Sequence, residues 1–225
     1  MENPKAVLFD AYGTLFDVYS VGSLAEQLFP GQGGALTVLW RDKQIEYTRL
    51  VTGSNEGEHY RPFWDLTLAA LRYACKRLGL DLTATREEQL MNQYLELAAF
   101  PENRKVLQAL KASGVTTGIL SNGDPRMLQS AVRSAGLTHL LDHLLSVDSV
   151  RKYKTHPQAY ALGPRALGLD AGQILFVSSN SWDALAATWF GYCTLWVNRQ
   201  QLPFEELGTQ PTRVGSSLRD VLEFF

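Results

Sequence analysis

Cysteine is scarce in this chain: Cys75 and Cys193 are the only two in 225 residues. They lie far apart and match no metal or redox spacing, so they are expected as core thiols in a reducing, cytoplasmic setting. Histidine is also sparse, and His59, His139, His143 and His156 form no metal or triad pattern. An excess of positive charge is missing too. The formal net charge is −2, which leaves no basic footprint for nucleic acid. Long apolar runs are absent: the longest uncharged stretch, Ala184 to Asn198, is too short for a membrane span and is broken by Gly191. No signal segment is visible before the first strand, which is reached through Pro4 and Lys5. No repeat or low-complexity tract occurs. What remains is an ordinary globular composition, 45% hydrophobic and 20% charged, long enough for one sizeable core or a core plus a smaller module.

Short apolar, β-branched runs mark strands covered on both faces. Ala6 to Phe9 runs into Asp10, and Val115 to Leu120 into Ser121-Asn122-Gly123-Asp124-Pro125. Ile174 to Val177 runs into Ser178-Ser179-Asn180-Ser181, and Thr194 to Val197 into Asn198-Arg199. A weaker strand, Leu144 to Val147, precedes Asp148. Helices fill the gaps. Pro101 to Ser113 stops at Gly114, Asp124 caps a helix that carries Pro125 in its first turn and ends at Gly136, and Ser181 caps one ending near Gly191. Strand alternating with helix predicts right-handed βαβ units and a parallel sheet.

Between Asp17 and about Ala99 the rhythm breaks. Four helical patterns occur there, Leu24 to Phe29, Leu36 to Val51, Phe63 to Leu78 and Glu87 to Ala98, and no convincing strand. A helical module of about 80 residues is therefore expected just after the first strand. The division expected is a core of residues 1–16 and 99–225 and a cap of 17–98, lying as a lid over the strand ends. Within Leu36 to Val51, the residues Leu36, Leu39, Trp40, Tyr47, Leu50 and Val51 share a packing stripe, while Arg41, Ile45 and Thr48 fall on another face.

The carboxyl ends of parallel strands are where ligands sit. The junctions deliver Asp10, Ser121, Asn122, Ser178, Asn180 and Asp183 to that edge. Asp10 reads as a helix cap or as a nucleophile able to attack carbon or phosphorus. Phosphoryl transfer would need a second carboxylate as general acid two residues later, and this chain has Tyr12. Ser121 and Asn122 precede a helix N-terminus and suit an anion, either carboxylate or phosphate, or plain turn chemistry. Lys154, in the run Arg151 to Lys154, reads as solvated or as an ammonium beside Asp10. Arg41 reads as a solvated helix residue unless its helix covers Asp10. Asp183 reads as a capping acid, or as a group orienting Lys154 or a water. Tyr12, Phe63 and Trp182 default to core aromatics.

Taken together these residues resemble the haloacid dehalogenase superfamily and, within it, the L-2-haloacid dehalogenases. The string Asp10-Ala-Tyr-Gly-Thr-Leu-Phe-Asp17 is similar to that family's first motif. Leu39-Trp40-Arg41 with Lys43-Gln44 and Glu46-Tyr47 looks like its lid helix. Ile119 to Gly123, Leu144 to Asp148 with Tyr153-Lys154, and Phe176 to Asn180 with Trp182-Asp183 resemble the remaining motifs. The likeness spans essentially the whole chain. It implies a Rossmann-like α/β core with an inserted helical cap, and hydrolytic dehalogenation of short L-2-haloalkanoic acids to D-2-hydroxy acids through an Asp10 ester.

In that reading Ser121, backbone N–H groups around Asn122, and Lys154 bind the substrate carboxylate. Arg41, Asn122 and Trp182 cradle the halide, where charge develops. Tyr12, Ile45, Phe63 and Trp182 line the alkyl pocket. Thr14, Tyr160, Ser178, Asn180 and Asp183 position Asp10, Lys154 and water. The resemblance implies no cofactor and no metal, a small haloacid substrate with a halide product, and a homodimer. Phosphatases of the superfamily carry a second Asp at the Tyr12 position and an acidic, Mg²⁺-holding pair where this chain has Ser178-Ser179-Asn180. Three departures from the family pattern stand out: Asp42 after Arg41, Thr155 after Lys154, and a long Ser54 to His59 loop. The alternatives are a Mg²⁺-dependent small-molecule phosphatase, a related dehalogenase acting on haloacetates including fluoroacetate, and a non-catalytic binding protein on the same fold.

Overall fold

A computed structural model describes residues 3–54 and 57–225; Asn55 and Glu56, inside the long Ser54 to His59 loop, fall outside them. The five apolar runs form strands β1 (Ala6–Phe9), β2 (Thr116–Ser121), β3 (His143–Ser146), β4 (Ile174–Ser178) and β5 (Cys193–Val197). A sixth, β6 (Arg213–Gly215), joins at the edge. It had no sequence signal, because only three residues pair and the Arg213 and Val214 side chains are exposed. All pairings are parallel, in the order β3-β2-β1-β4-β5-β6.

Phe9 pairs with Ile119 on one side and Val177 on the other, so β1 stops two residues short of the end of β2 and one short of that of β4 at the same edge. The chain builds outward from β1 through β2 to β3, then returns to the other side of β1. The crevice beyond the ends of β1 and β4 is therefore the topological switch point, where ligands of open α/β sheets bind. Helices α5 (Asn103–Ala112), α6 (Pro125–Ser134), α7 (Pro157–Tyr160), α8 (Leu162–Leu167) and α9 (Ser181–Phe190) connect the strands. β1 and β4 are buried along their whole length, as strands covered on both faces should be.

The expected insertion is helical: α1 (Gly22–Leu28), α2 (Gly33–Gly53), α3 (Phe63–Leu78) and α4 (Ala84–Leu95). It leaves and rejoins the core at one place. Phe16 bridges Ala99 in antiparallel fashion, and the Asp17 N–H donates to the Ala98 carbonyl at 2.8 Å. A second tie comes from Asp124. Its carboxylate caps α6 by accepting from Met127 N–H at 3.0 Å, and its other oxygen accepts from Trp64 N–H at 3.1 Å, near the start of α3.

The packed face of α2 differs from the expected one. Leu36, Trp40, Gln44 and Thr48, spaced by four, are buried, whereas Leu50 is 59% exposed. Leu39, Tyr47 and Val51 are only partly buried. The α2 stripe thus runs through a polar amide and a hydroxyl rather than through Leu50, and both polar groups find partners, as buried ones must. Two further expectations change. Asn180, not Ser181, is the N-cap of α9 and makes no side-chain cap bond, because its amide points toward β1. Cys75 is buried as expected, but Cys193, at the start of β5, is only half-buried. None of the described helices is long and apolar enough to cross a membrane.

Candidate active site

β1 ends at Phe9 and the backbone turns at Gly13, whose φ of +98° lies in the region glycine favours. This turn leaves the Asp10 side chain in the crevice, only 5% exposed. Three groups converge on its carboxylate. The Lys154 Nζ donates to Oδ1 at 3.0 Å. The Thr14 hydroxyl and the Asn180 Nδ2 donate to Oδ2 at 3.1 and 2.9 Å. Asp10 is therefore held from both sides rather than serving as a helix cap.

Lys154 is the only buried cation of the run Arg151 to Lys154, at 1% exposure. Its ammonium also donates to Asp183 Oδ2 at 2.9 Å and lies 4.8 Å from the centre of the Phe176 ring. Burial works against that charge, but the Asp10 and Asp183 carboxylates outweigh it and raise the Lys154 pKa above the ordinary lysine value. Burial also pushes Asp183 upward against the pull of Lys154. The geometry favours its charged form, since Tyr160 donates to Oδ1 at 2.7 Å while Lys154 donates to Oδ2. Burial raises the Tyr160 hydroxyl well above its usual range, with Asp183 adding to the effect. Asp183, in the first turn of α9, thus shares the Lys154 ammonium with Asp10. The Lys154–Thr155 peptide bond is cis.

The remaining predicted residues fall into two groups. Ser178 and Ser121 are fully buried supports for backbone. Ser178 Oγ accepts from Asn180 N–H at 3.1 Å, and Ser121 Oγ accepts from Gly123 N–H at 3.0 Å. The Asn122 side-chain oxygen accepts from Lys154 N–H at 2.9 Å, which ties the β2 loop to the lysine. Gly123 is required by close approach: a Cβ there would stand 2.7 Å from the Tyr12 ring.

Arg41 comes from α2 and crosses to the core. Its Nη2 donates to the Tyr12 carbonyl at 3.1 Å and reaches the Asn180 Oδ1 at 3.5 Å, and its Nη1 donates to Gln44 at 2.7 Å. The helix therefore reaches the strand edge next to Asp10, through Tyr12 and Asn180. Arg41, Ile45 and Trp182 line a cleft of about 840 Å³ between α2 and the strand ends, and the exposed Asp42 stands at its wall. Tyr12 and Phe63 pair instead at 5.4 Å between ring centres, fully buried beside Tyr94. Burial pushes the Tyr12 hydroxyl well above its usual range.

Sequence reasoning missed Arg199. It lies two residues past β5, donates to Ser179 Oγ and to the Thr14 carbonyl, and pairs with Glu102 at 3.0 Å. It binds the two loops that carry Asp10 and Asn180. Its one sequence signal was its place at a strand's carboxyl end.

Among the described residues, no group of three or more His, Cys, Asp or Glu side chains is arranged to hold a metal ion. The position between the two buried carboxylates, Asp10 and Asp183, is filled by the Lys154 ammonium. The arrangement offers a held carboxylate nucleophile beside a cleft that Arg41 and Arg49 of α2 line from the cap side.

A family comparison matches residues 4–191 to the haloacid dehalogenase-like hydrolases. The (S)-2-haloacid dehalogenase of Pseudomonas sp. (strain YL) is 47% identical over 225 residues, all of this chain and 96% of that protein. The crystal structure of the L-2-haloacid dehalogenase RSc1362 superposes with a TM-score of 0.97 at 59% identity, over 99% of both chains. The L-2-haloacid dehalogenase of Xanthobacter autotrophicus, solved with chloropropionic acid covalently bound, gives 0.90 at 35% identity over 98% of this chain and 97% of that one. With its held aspartate, its α/β core and its inserted helices, this chain belongs to the haloacid dehalogenase-like hydrolase family.

Proposed function

We propose that the protein hydrolyses the carbon–halogen bond of short L-2-haloalkanoic acids. Asp10 attacks C2 from the side opposite the halogen. The carbon–halogen bond breaks as the carbon–oxygen bond forms, configuration inverts, and the halide leaves with the bonding electrons. Water then attacks the carbonyl carbon of the Asp10 ester, one of its protons is released, and the D-2-hydroxy acid departs with Asp10 restored. The step is nucleophilic catalysis by a protein carboxylate and calls for neither metal nor organic cofactor.

The carrying observation is the Asp10 environment. Lys154, Thr14 and Asn180 all donate to its carboxylate, which holds it in one orientation, while position 12 offers a tyrosine instead of a second acid. Arg41 and Trp182 on the cleft wall, with Asn122, suit the departing halide. Ser121 and the N–H groups around Asn122 suit the substrate carboxylate, helped by Lys154. Tyr12, Ile45, Phe63 and Trp182 suit the alkyl group. Tyr160, Ser178 and Asp183 keep Lys154 and Asn180 in place. In this reading residues 17–98 are the cap, 1–16 and 99–225 the core, the protein is cytoplasmic, and two copies pair as a homodimer, which light scattering checks.

The deciding experiment is halide release from L- and D-2-chloropropionate with and without EDTA, beside phosphate release from a generic ester with Mg²⁺. EDTA-resistant chloride from the L-isomer alone is expected. Mg²⁺-dependent phosphate release without chloride would overturn the proposal.

A further inference from the structure

Gln44 is wholly buried on α2, one turn beyond Arg41, and its amide is engaged at both its oxygen and its nitrogen. Its Oε1 accepts from Arg41 Nη1 at 2.7 Å and from the Tyr94 hydroxyl at 3.0 Å. Its Nε2 donates to the Thr67 hydroxyl oxygen at 2.6 Å. The direction of this chain is fixed by Thr67 on α3. The single hydroxyl proton of Thr67 goes to the Phe63 carbonyl at 2.7 Å, so its oxygen is left to accept. Gln44 must then turn its NH₂ toward Thr67 and its carbonyl oxygen toward Arg41. A flipped amide would set two donors, Nε2 and Nη1, against each other and leave Oε1 facing a lone pair. The Thr67 carbonyl also accepts from Trp40 Nε1 at 2.8 Å, which locks α3 against α2 beneath this relay.

Arg41 contacts Gln44 on its own helix, Tyr94 on α4, and Tyr12 and Asn180 across the cleft. Without the first, nothing on α2 fixes the angle at which the guanidinium crosses. We infer that Gln44, with its sense set by Thr67, is a positioning residue that aims Arg41 at the leaving group. The inference rests on the dehalogenation reading for its kinetic form, and on geometry alone for its structural form.

The variants are Gln44→Leu and the milder Thr67→Val, which keeps the shape at position 67 but removes the acceptor. L-2-chloropropionate and L-2-bromopropionate are the substrates, and product inhibition by free halide is measured with each. Misplacing a group that stabilises developing charge lowers kcat by roughly tenfold to a hundredfold. The loss is expected to be larger for chloride, the poorer leaving group, with KM little changed and halide inhibition weakened. Thr67→Val, able to fold where Gln44→Leu fails, is expected to show the same pattern more weakly. Equal losses for both halogens, or a kcat within twofold of wild type in both variants, would overturn the inference. If the wild type releases no halide, the functional reading has failed, and the crystal structures of the two variants decide the positioning. A displaced Arg41 guanidinium supports it, and an unmoved one overturns it.

Discussion

The ammonium of Lys154 lies 3.0 Å from the Asp10 carboxylate, across 144 residues of sequence. Neither residue announces the other locally. They meet because β1 and the loop after β3 both open on the same edge of the sheet.

Asp10→Asn is expected to fold normally, because Lys154 keeps Asp183 as its charged partner. Halide release is expected to fall by at least about 10³-fold, the scale seen when a nucleophile is removed. Circular dichroism checks the fold, and a halide electrode checks turnover. Persistent release at the wild-type rate would reject Asp10 as nucleophile.

Lys154→Met leaves two buried carboxylates without their shared cation. Breaking a buried pair costs about 3–5 kcal/mol, read as a lowered urea midpoint. Adding Asp183→Asn removes one of the stranded charges and is expected to recover part of that loss without restoring activity. A double variant no more stable than Lys154→Met would contradict the account of Asp183 as the partner of Lys154.

The pH dependence has a definite sign. Lys154 has a folded pKa above its unfolded value, which lies near about 10.4. Its contribution to stability is therefore complete below that pH and is lost as pH rises through the folded value. The difference in urea midpoint between wild type and the Lys154→Met, Asp183→Asn double variant is expected to hold constant from pH 7 to about 10 and to shrink only above it. A decline already at pH 8 would mean that Lys154 is neutral where the reaction needs it charged.

Chelation is expected to leave halide release unchanged. The reason is chemical: hard divalent cations need several oxygen ligands, and the place between Asp10 and Asp183 is held by an ammonium. EDTA titration against added Mg²⁺ checks this. Activity lost to EDTA and restored by Mg²⁺ would remove the argument.

Much of the core was legible, because buried parallel strands are written as short apolar runs and their ends follow directly. Asp10, Ser121, Ser178 and Asn180 could be placed at one edge on that ground alone. β6 could not, since its three residues bury too little to leave a pattern. On α2 the apolar residues misled: Leu50 looked like core yet faces solvent, while Gln44 and Thr48 lie inside. The physical reason is that a polar residue is buried when its partners exist, and two of the three partners of Gln44, Thr67 and Tyr94, sit on other helices. Lys154 was ambiguous for the same reason. Nothing within Arg151 to Lys154 says which cation meets two carboxylates. Arg199 left only its position after a strand.

The insertion begins and ends at the Phe16–Ala99 bridge, and it sends Arg41 toward the crevice from α2, with Gln44 buried behind it. The carboxylates, the ammonium and Asn180 all belong to the sheet edge. One guanidinium of the crevice, that of Arg41, therefore arrives on a different stretch of chain from the nucleophile and its supports, the two stretches joined at one neck. Substitutions on α2 can thus change the surroundings of that guanidinium while the nucleophile and its supports are inherited intact.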